Sequence, residues 1–214
     1  MPHRLSAVGL ALLLLLSGCG VVGGSGEVQT ETRQVSGFTA IDLAGSGEVT
    51  LEQGDSETLT IEADDNVLPR LTSEVSDSTL KLDKKRGITL GTNSPIRYRV
   101  TLKDLTGLNV SGSGSIKAER LTLQTLRVDI SGSGTVDLSG SAVEQDIEVS
   151  GSGRYEAADL PSQKVTAEIS GSGEIAVAVS GELKVDISGS GTVTYSGDPN
   201  VQQSVSGSGK VIKK

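Results

Sequence analysis

The sequence predicts an all-β protein, a parallel β-helix whose rungs run about 18–20 residues. Three observations predict it. The tetrapeptide Ser-Gly-Ser-Gly starts at Ser111, Ser131, Ser150, Ser170, Ser188 and Ser206, in steps of 20, 19, 20, 18 and 18 residues, the mark of a stacked repeat. An apolar-polar-apolar triplet precedes five of the copies: Leu108-Asn109-Val110, Val128-Asp129-Ile130, Ile147-Glu148-Val149, Ala167-Glu168-Ile169 and Val185-Asp186-Ile187. Five positions after each first serine stands Ile116, Val136, Tyr155, Ile175, Val193 or Val211. Each unit reads as strand, glycine corner, strand.

Alternation assigns the faces. Val128 and Ile130 share one side of a strand and Asp129 takes the other. The corner glycines are Gly112 and Gly114, Gly132 and Gly134, Gly151 and Gly153, Gly171 and Gly173, Gly189 and Gly191, and Gly207 and Gly209. They are expected to free the backbone for positive φ, with the serine side chains bonding to nearby turn amides. The next strand places Val136 and Leu138 inward. A less regular third segment contributes Leu121, Leu123 and Leu126 in one unit and Val143 in the next. Three short strands per turn, each hydrogen-bonded to the rung below, complete the expected solenoid. Flexible-linker composition does not explain fixed spacing with alternating Val and Ile. A phosphate-cradling loop is not indicated either, since no Gly-Lys-Ser/Thr follows any copy.

Composition fits a thin interior. Of 214 residues 28 are glycine, and the aromatics are Phe38, Tyr98, Tyr155 and Tyr195. A solenoid suits such a supply, because each rung buries only a few Val, Ile, Leu or Ala side chains against its neighbours. The formal charge is −8, from 19 basic and 27 acidic residues. That acidity argues against a nucleic-acid partner.

The chain opens with a secretory leader: Arg4, an apolar run from Leu5 to Leu16, then Leu16-Ser17-Gly18-Cys19. The quartet resembles the lipobox of bacterial lipoproteins. The resemblance implies cleavage between Gly18 and Cys19 and lipid on Cys19. Cys19 is the only cysteine, so no internal disulfide competes for it. With Gly20 as second mature residue, the resemblance implies the outer membrane in a Gram-negative organism. His3 and Met1 both lie in the leader. The expected organisation is a signal peptide over 1–18, a lipidated cysteine and flexible tether over 19–30, and one β-helix domain over 31–214.

Upstream of Gly107 the rhythm weakens. Thr39-Ala40-Ile41-Asp42-Leu43 leads into Ala44-Gly45-Ser46-Gly47, with Val49 and Leu51 following as in later units, so this is an early rung. Residues 58–62, 79–82 and 97–102 alternate as strands. Asp64-Asp65-Asn66 and Ser94-Pro95 signal turns, and Val67-Leu68-Pro69-Arg70-Leu71 suits a helical turn or loop. Phe38-Thr39-Ala40-Ile41, Gly45-Ser46-Gly47, Leu59-Thr60-Ile61 with Asp65-Asn66-Val67-Leu68, and Leu80-Lys81-Leu82 resemble the head GIN domain family, labelled adhesins of autotransporter type. The likeness runs from about Phe38 to Val211. It implies a secreted or lipid-anchored bacterial protein with a right-handed β-helix. The chain shows no C-terminal series of lipid-facing strands, so self-translocation is not expected.

The polar residues of the triplets form a column: Asp42, Asn109, Asp129, Glu148, Glu168 and Asp186. Rungs stack about 4.8 Å apart, where like charges in water repel by roughly 0.9 kcal/mol. The weak metal candidates are therefore Asp129, Glu148, Glu168 and Asp186, set against a solvated face that limits aggregation. Lys84-Lys85-Arg86 and the pair Arg97 and Arg99 are basic clusters that read as solvated surface or as contacts to anionic lipid or polysaccharide. Without histidine beyond the leader, His-based triads and His-bearing metal sites are excluded, and no cofactor is implied. The expected function is a lipid-anchored envelope protein that binds a surface glycan or protein without catalysis. The alternatives are a structural module that self-associates through its ends and a polysaccharide-active β-helix.

Overall fold

The computed structural model describes residues 20–91 and 94–214. The strands in chain order are β1 (Gly20–Gly23), β2 (Val28–Arg33), β3 (Ala40–Gly45), β4 (Glu48–Gln53), β5 (Thr58–Asp64), β6 (Leu71–Ser76), β7 (Thr79–Lys84), β8 (Ile88–Gly91), β9 (Arg97–Leu102), β10 (Gly107–Gly112), β11 (Ser115–Gly132), β12 (Thr135–Gly151), β13 (Arg154–Gly171), β14 (Glu174–Gly189), β15 (Thr192–Ser196), β16 (Asn200–Gly207) and β17 (Lys210–Lys213). Leu68–Arg70 forms one turn of 3-10 helix, with Pro69 in its first turn.

From β10 onward the chain is a parallel β-solenoid. β11 to β14 are single strands of 18, 17, 18 and 16 residues, each bending around a rung and pairing in parallel with the next. The three short strands expected per turn are thus one long strand, because ladder pairing resumes beyond each irregularity, such as that between Ala118 and Leu121. The corners stack in register: Gly112, Gly132, Gly151, Gly171, Gly189 and Gly207 lie one above another. Inward residues are sealed, with Val128, Val136, Ile147 and Val149 at 0% exposure. Fully burying such a side chain stabilises by about 1.5–3 kcal/mol.

One inward assignment differs. Val143 faces solvent, while Ala142 and Gln145 turn inward. The Tyr155 hydroxyl, also buried, donates to Gln145 Oε1 at 2.5 Å, and Gln145 Nε2 donates to Ser162 Oγ at 2.5 Å and to the Leu160 carbonyl at 3.2 Å. A buried phenol needs a partner, and Gln145 supplies it.

The N-terminal half departs from sequential stacking. β3 and β4 do form a rung in register with β10 and β11, although Gly45 and its partner Gly112 are 67 residues apart in the chain. The rung beyond them is built from later residues: β7 lies parallel on β3 and β9 parallel on β4. The chain then passes back over the β3–β4 rung to reach β10. Antiparallel strands close this end, β6 on β7, β5 on β9 and β2 on β5. β6 and β7 form a two-residue hairpin with Asp77 and Ser78 both at positive φ, as a type I′ turn requires. The outermost strand, β2, is polar and exposed, a pattern that discourages further pairing. Arg33 pins it, donating to the carbonyls of Leu71 at 3.0 Å and Leu68 at 3.1 Å.

Gly20–Gly23, expected to be free tether, is a strand paired in parallel with β8, and β2 begins before residue 30. The signal peptide, Gly18 and Cys19 lie outside the described residues.

Candidate functional site

The Ser-Gly-Ser-Gly corners form a ridge along the solenoid. Their backbone closes the stack: the Ser133 amide donates to the Gly112 carbonyl at 2.8 Å and the Thr135 amide to Gly114 at 3.0 Å, and each later corner repeats both bonds. The glycines are required for two different reasons. Gly132, like its equivalents, has positive φ, and a Cβ there would lie 2.7 Å from the Gly112 carbonyl oxygen. Gly134 does not have positive φ; a Cβ there would lie 2.5 Å from Val110 Cγ1 in the core below. The expectation of positive φ therefore holds for the first glycine of each corner, and the second is needed for space.

The corner serines make no side-chain hydrogen bonds among the described residues, contrary to the expectation of local turn bonding. The backbone ladder already satisfies the corner amides, and the hydroxyls are left to solvent. One ladder of hydroxyls runs in register through Ser111, Ser131, Ser150, Ser170, Ser188 and Ser206. The third residue of each corner, from Ser113 to Ser208, is exposed and forms a second.

Beside the ridge runs the predicted polar column, with Asp42, Asn109, Asp129, Glu148, Glu168 and Asp186 in direct register. Lys81 extends it at one end and Ser204 at the other. Asn109 Nδ2 donates to Asp42 Oδ1 at 3.0 Å. Partial burial holds the Asp42 carboxyl above the usual carboxylate range, with Lys81 opposing and Asp83 adding to the rise. Arg127, two residues before Asp129 on the same face, contacts Asp129 at 2.9 Å, Asp146 at 2.8 Å and Glu148 at 3.3 Å. Its hydrogen bond to Asp129 is the main cause of its own raised pKa. Like-charge repulsion in this part of the column is relieved from within the protein. Glu168 and Asp186 have no ion-pair partner among the described residues. Among those residues no three His, Cys, Asp or Glu side chains come together to hold a metal ion, so the four weak candidates form a column but no cage.

On the other side of the ridge, Arg154 bridges to Glu174 at 2.7 Å and Glu156 at 3.3 Å. At the N-terminal end Arg97 joins Glu48 and Glu62, while Arg99 stays exposed. A cleft of about 280 Å³ lies between β8 and the first corner, lined by Gly45, Gly47, Leu90, Ile96 and Tyr98. Burial pushes the Tyr98 phenol up to about 12.

Two features escaped sequence reasoning. The buried Gln145–Tyr155–Ser162 group joins two strands, Gln145 on β12 and Tyr155 with Ser162 on β13, and its only signal was a tyrosine in an aliphatic column. The second is the place of Arg70 in the basic cluster that the sequence showed at Lys84-Lys85-Arg86. The Lys85 amide donates to the Arg70 carbonyl at 2.8 Å, which brings Arg70 beside Lys84-Lys85-Arg86.

Stacked parallel rungs, a thin aliphatic core and a repeated glycine corner define a β-solenoid of the repeat class. The chain belongs to the family described as "Putative auto-transporter adhesin, head GIN domain", whose model matches residues 37–199. Solved structures share the fold. A "putative adhesin" from Bacteroides fragilis NCTC 9343 superposes with a TM-score of 0.74 at 23% identity, covering 90% of this chain and 100% of that one. A "putative lipid binding protein" from Parabacteroides distasonis ATCC 8503 gives 0.64 at 25% identity, covering 91% and 100%. A "putative adhesin" from Parabacteroides merdae ATCC 43184 gives 0.53 at 23% identity, covering 91% and 99%. A search among curated proteins finds no match.

Proposed function

We propose that the protein is a lipid-anchored, non-catalytic module of the bacterial envelope that holds a polymeric, hydroxyl-rich partner, a surface glycan, along its corner ridge. The observation that carries this reading is the pair of solvent-facing hydroxyl ladders, the first of them in direct register, flanked by the carboxylates of Glu168 and Asp186, which have no ion-pair partner among the described residues. A ligand that repeats along its length meets the same donors and acceptors at each rung, so weak contacts add. Family membership supports an envelope or cell-surface setting. The lipobox-like quartet ending at Cys19 supports anchoring.

Glycan-array binding tests the reading. At least one polymeric glycan is expected to bind, and Ser170→Ala with Ser172→Ala to weaken it without lowering the melting temperature. Retention of binding by that variant, or depolymerisation of a polysaccharide by the purified protein, would sink the proposal.

A second reading, self-association, is favoured by the open C-terminal end. β16 carries no charged residue, and Val205 and Ile212 are 41% and 43% exposed. Edge strands without charge invite pairing. Light scattering is expected to show a dimer that Val205→Lys dissociates; a monomer at all concentrations would reject it.

A further inference from the structure

We infer that the capped end of the solenoid faces the membrane, with Arg70, Lys84, Lys85 and Arg86 set against anionic phospholipid headgroups. The inference rests on the reading that Cys19 carries lipid.

The first observation is the absence of slack after the anchor. Gly20, which adjoins Cys19 in sequence, is registered with Ile88 on β8. The Gly24 amide donates to the Gly91 carbonyl at 2.7 Å. Asn66 clamps the same segment, its Nδ2 donating to the Gly23 carbonyl at 2.7 Å and its Oδ1 accepting from the Ser25 amide at 3.1 Å. Ser25 Oγ donates to Asp65 Oδ1 at 2.6 Å. A chain held at so many points cannot act as the flexible tether expected over 19–30. The domain is mounted on its anchor, and one end of it must lie at the lipid surface.

The second observation is what stands at that end. β8 starts two residues after Arg86, so the basic turn and the first residue of β1 emerge together. Arg70 joins the turn through the Lys85 amide. Arg70, Lys85 and Arg86 are exposed and Lys84 is half-buried, and none of the four forms an ion pair with a described residue. Two acids flank them: Asp83, which accepts from the Lys84 amide at 2.7 Å, and Glu74, registered with Lys81. The rest of the chain is acidic, with a formal charge of −8 overall, and is repelled by an anionic bilayer. The tip is where attraction outweighs that repulsion. Each basic residue at such a surface strengthens binding about fivefold.

Co-sedimentation tests the tip independently of the lipid, using the chain from Gly20 onward, which includes every described residue. At low salt it is expected to pellet with vesicles of phosphatidylcholine and phosphatidylglycerol and not with phosphatidylcholine alone. Reversing Arg70, Lys84, Lys85 and Arg86 to Glu should cut the pelleted fraction about tenfold or more; neutralising the four to Gln checks that charge, not misfolding, is responsible. Lys210→Glu with Lys214→Glu, at the opposite end, should change nothing. A dye on Thr89→Cys should report the bilayer, and one on Ser208→Cys should not. Pelleting with neither vesicle, loss through the Lys210 and Lys214 changes, or capture by a soluble anionic polysaccharide in place of the vesicles would overturn the inference. Mass analysis of the Cys19 peptide from native membranes judges the anchor separately: an unmodified thiol defeats the anchor reading while the vesicle result still decides the tip.

Discussion

Residues 107–214 and residues 20–106 solve the same packing problem in opposite ways. The later region stacks rungs in chain order, and from Ser131 onward every corner rests on an identical corner. The earlier region stacks them out of order and closes the stack with antiparallel strands. A repeat needs a like neighbour on both sides, and the last repeat has none, so a solenoid end must be covered or left open. Here one end is covered and the other is open. The corner at Gly45 shows the consequence. A Cβ on Gly45 meets nothing within 4 Å, whereas a Cβ on Gly132 meets the carbonyl of the corner below. The rung beneath Gly45 turns by a different route, through the basic turn and β8.

The largest expected effect sharpens that contrast. Gly132→Ala should lose about 3 kcal/mol or more, from a strained φ combined with a backbone clash. Gly45→Ala, with φ of 99° and open space, should lose only about 1–2 kcal/mol. Urea midpoints decide; equal losses would mean that the stacked carbonyl does not matter.

Next in size is the alkaline response. In the cap the Tyr98 phenol is raised to about 12, and in the stack burial raises Tyr155 further. An unfolded tyrosine titrates near 10. A group whose folded pKa is raised contributes stability that is complete below the unfolded pKa and lost as pH rises toward the folded one. Stability should therefore hold to about pH 10 and then fall by about 1.4 kcal/mol per pH unit for each buried tyrosine. Tyr98→Phe should flatten the loss between about pH 10 and 12 without abolishing it. Melting temperature against pH for the two proteins is the measurement, and superimposable curves would contradict the assignment.

Tyr155→Phe should cost about 1–3 kcal/mol, because Gln145 Oε1 is left buried without a donor. Adding Gln145→Leu should recover part of that loss, since Ser162 Oγ can still donate to the Leu160 carbonyl at 3.2 Å. A double variant no better than Tyr155→Phe alone would dismiss the pairing. Smallest is Arg127→Gln. Its ion pairs are solvent-exposed, so less than about 1 kcal/mol should be lost, and the loss should shrink further in high salt.

Much of the stack was readable because its signals are local and repeated. The Asp129–Glu148–Glu168–Asp186 column followed from alternation plus a constant corner, and the register confirms it. The inward assignment of Val143 failed where the shortened rung carries Gly140 and the alternation restarts, putting Ala142 and Gln145 inside. The cap was hidden for a different reason. Alternation identified β5, β7 and β9 as strands, but alternation is the same for parallel and antiparallel neighbours. The free hydroxyls were misread as turn bonds because the sequence does not show that carbonyls of the rung below already serve the corner amides.

The sequence by itself determined the repeat length, the position of each corner and the alternation of sealed and solvated faces, because those depend on residues within a few positions of one another. Only the tertiary structure decided that β7 and β9 stack outside β3 and β4, that Asn66 and β8 clamp the chain beside Cys19, and that Arg70 completes a basic tip. Those pairings join residues far apart in the chain, and their energy comes from edges and ends that exist only once the rungs have formed.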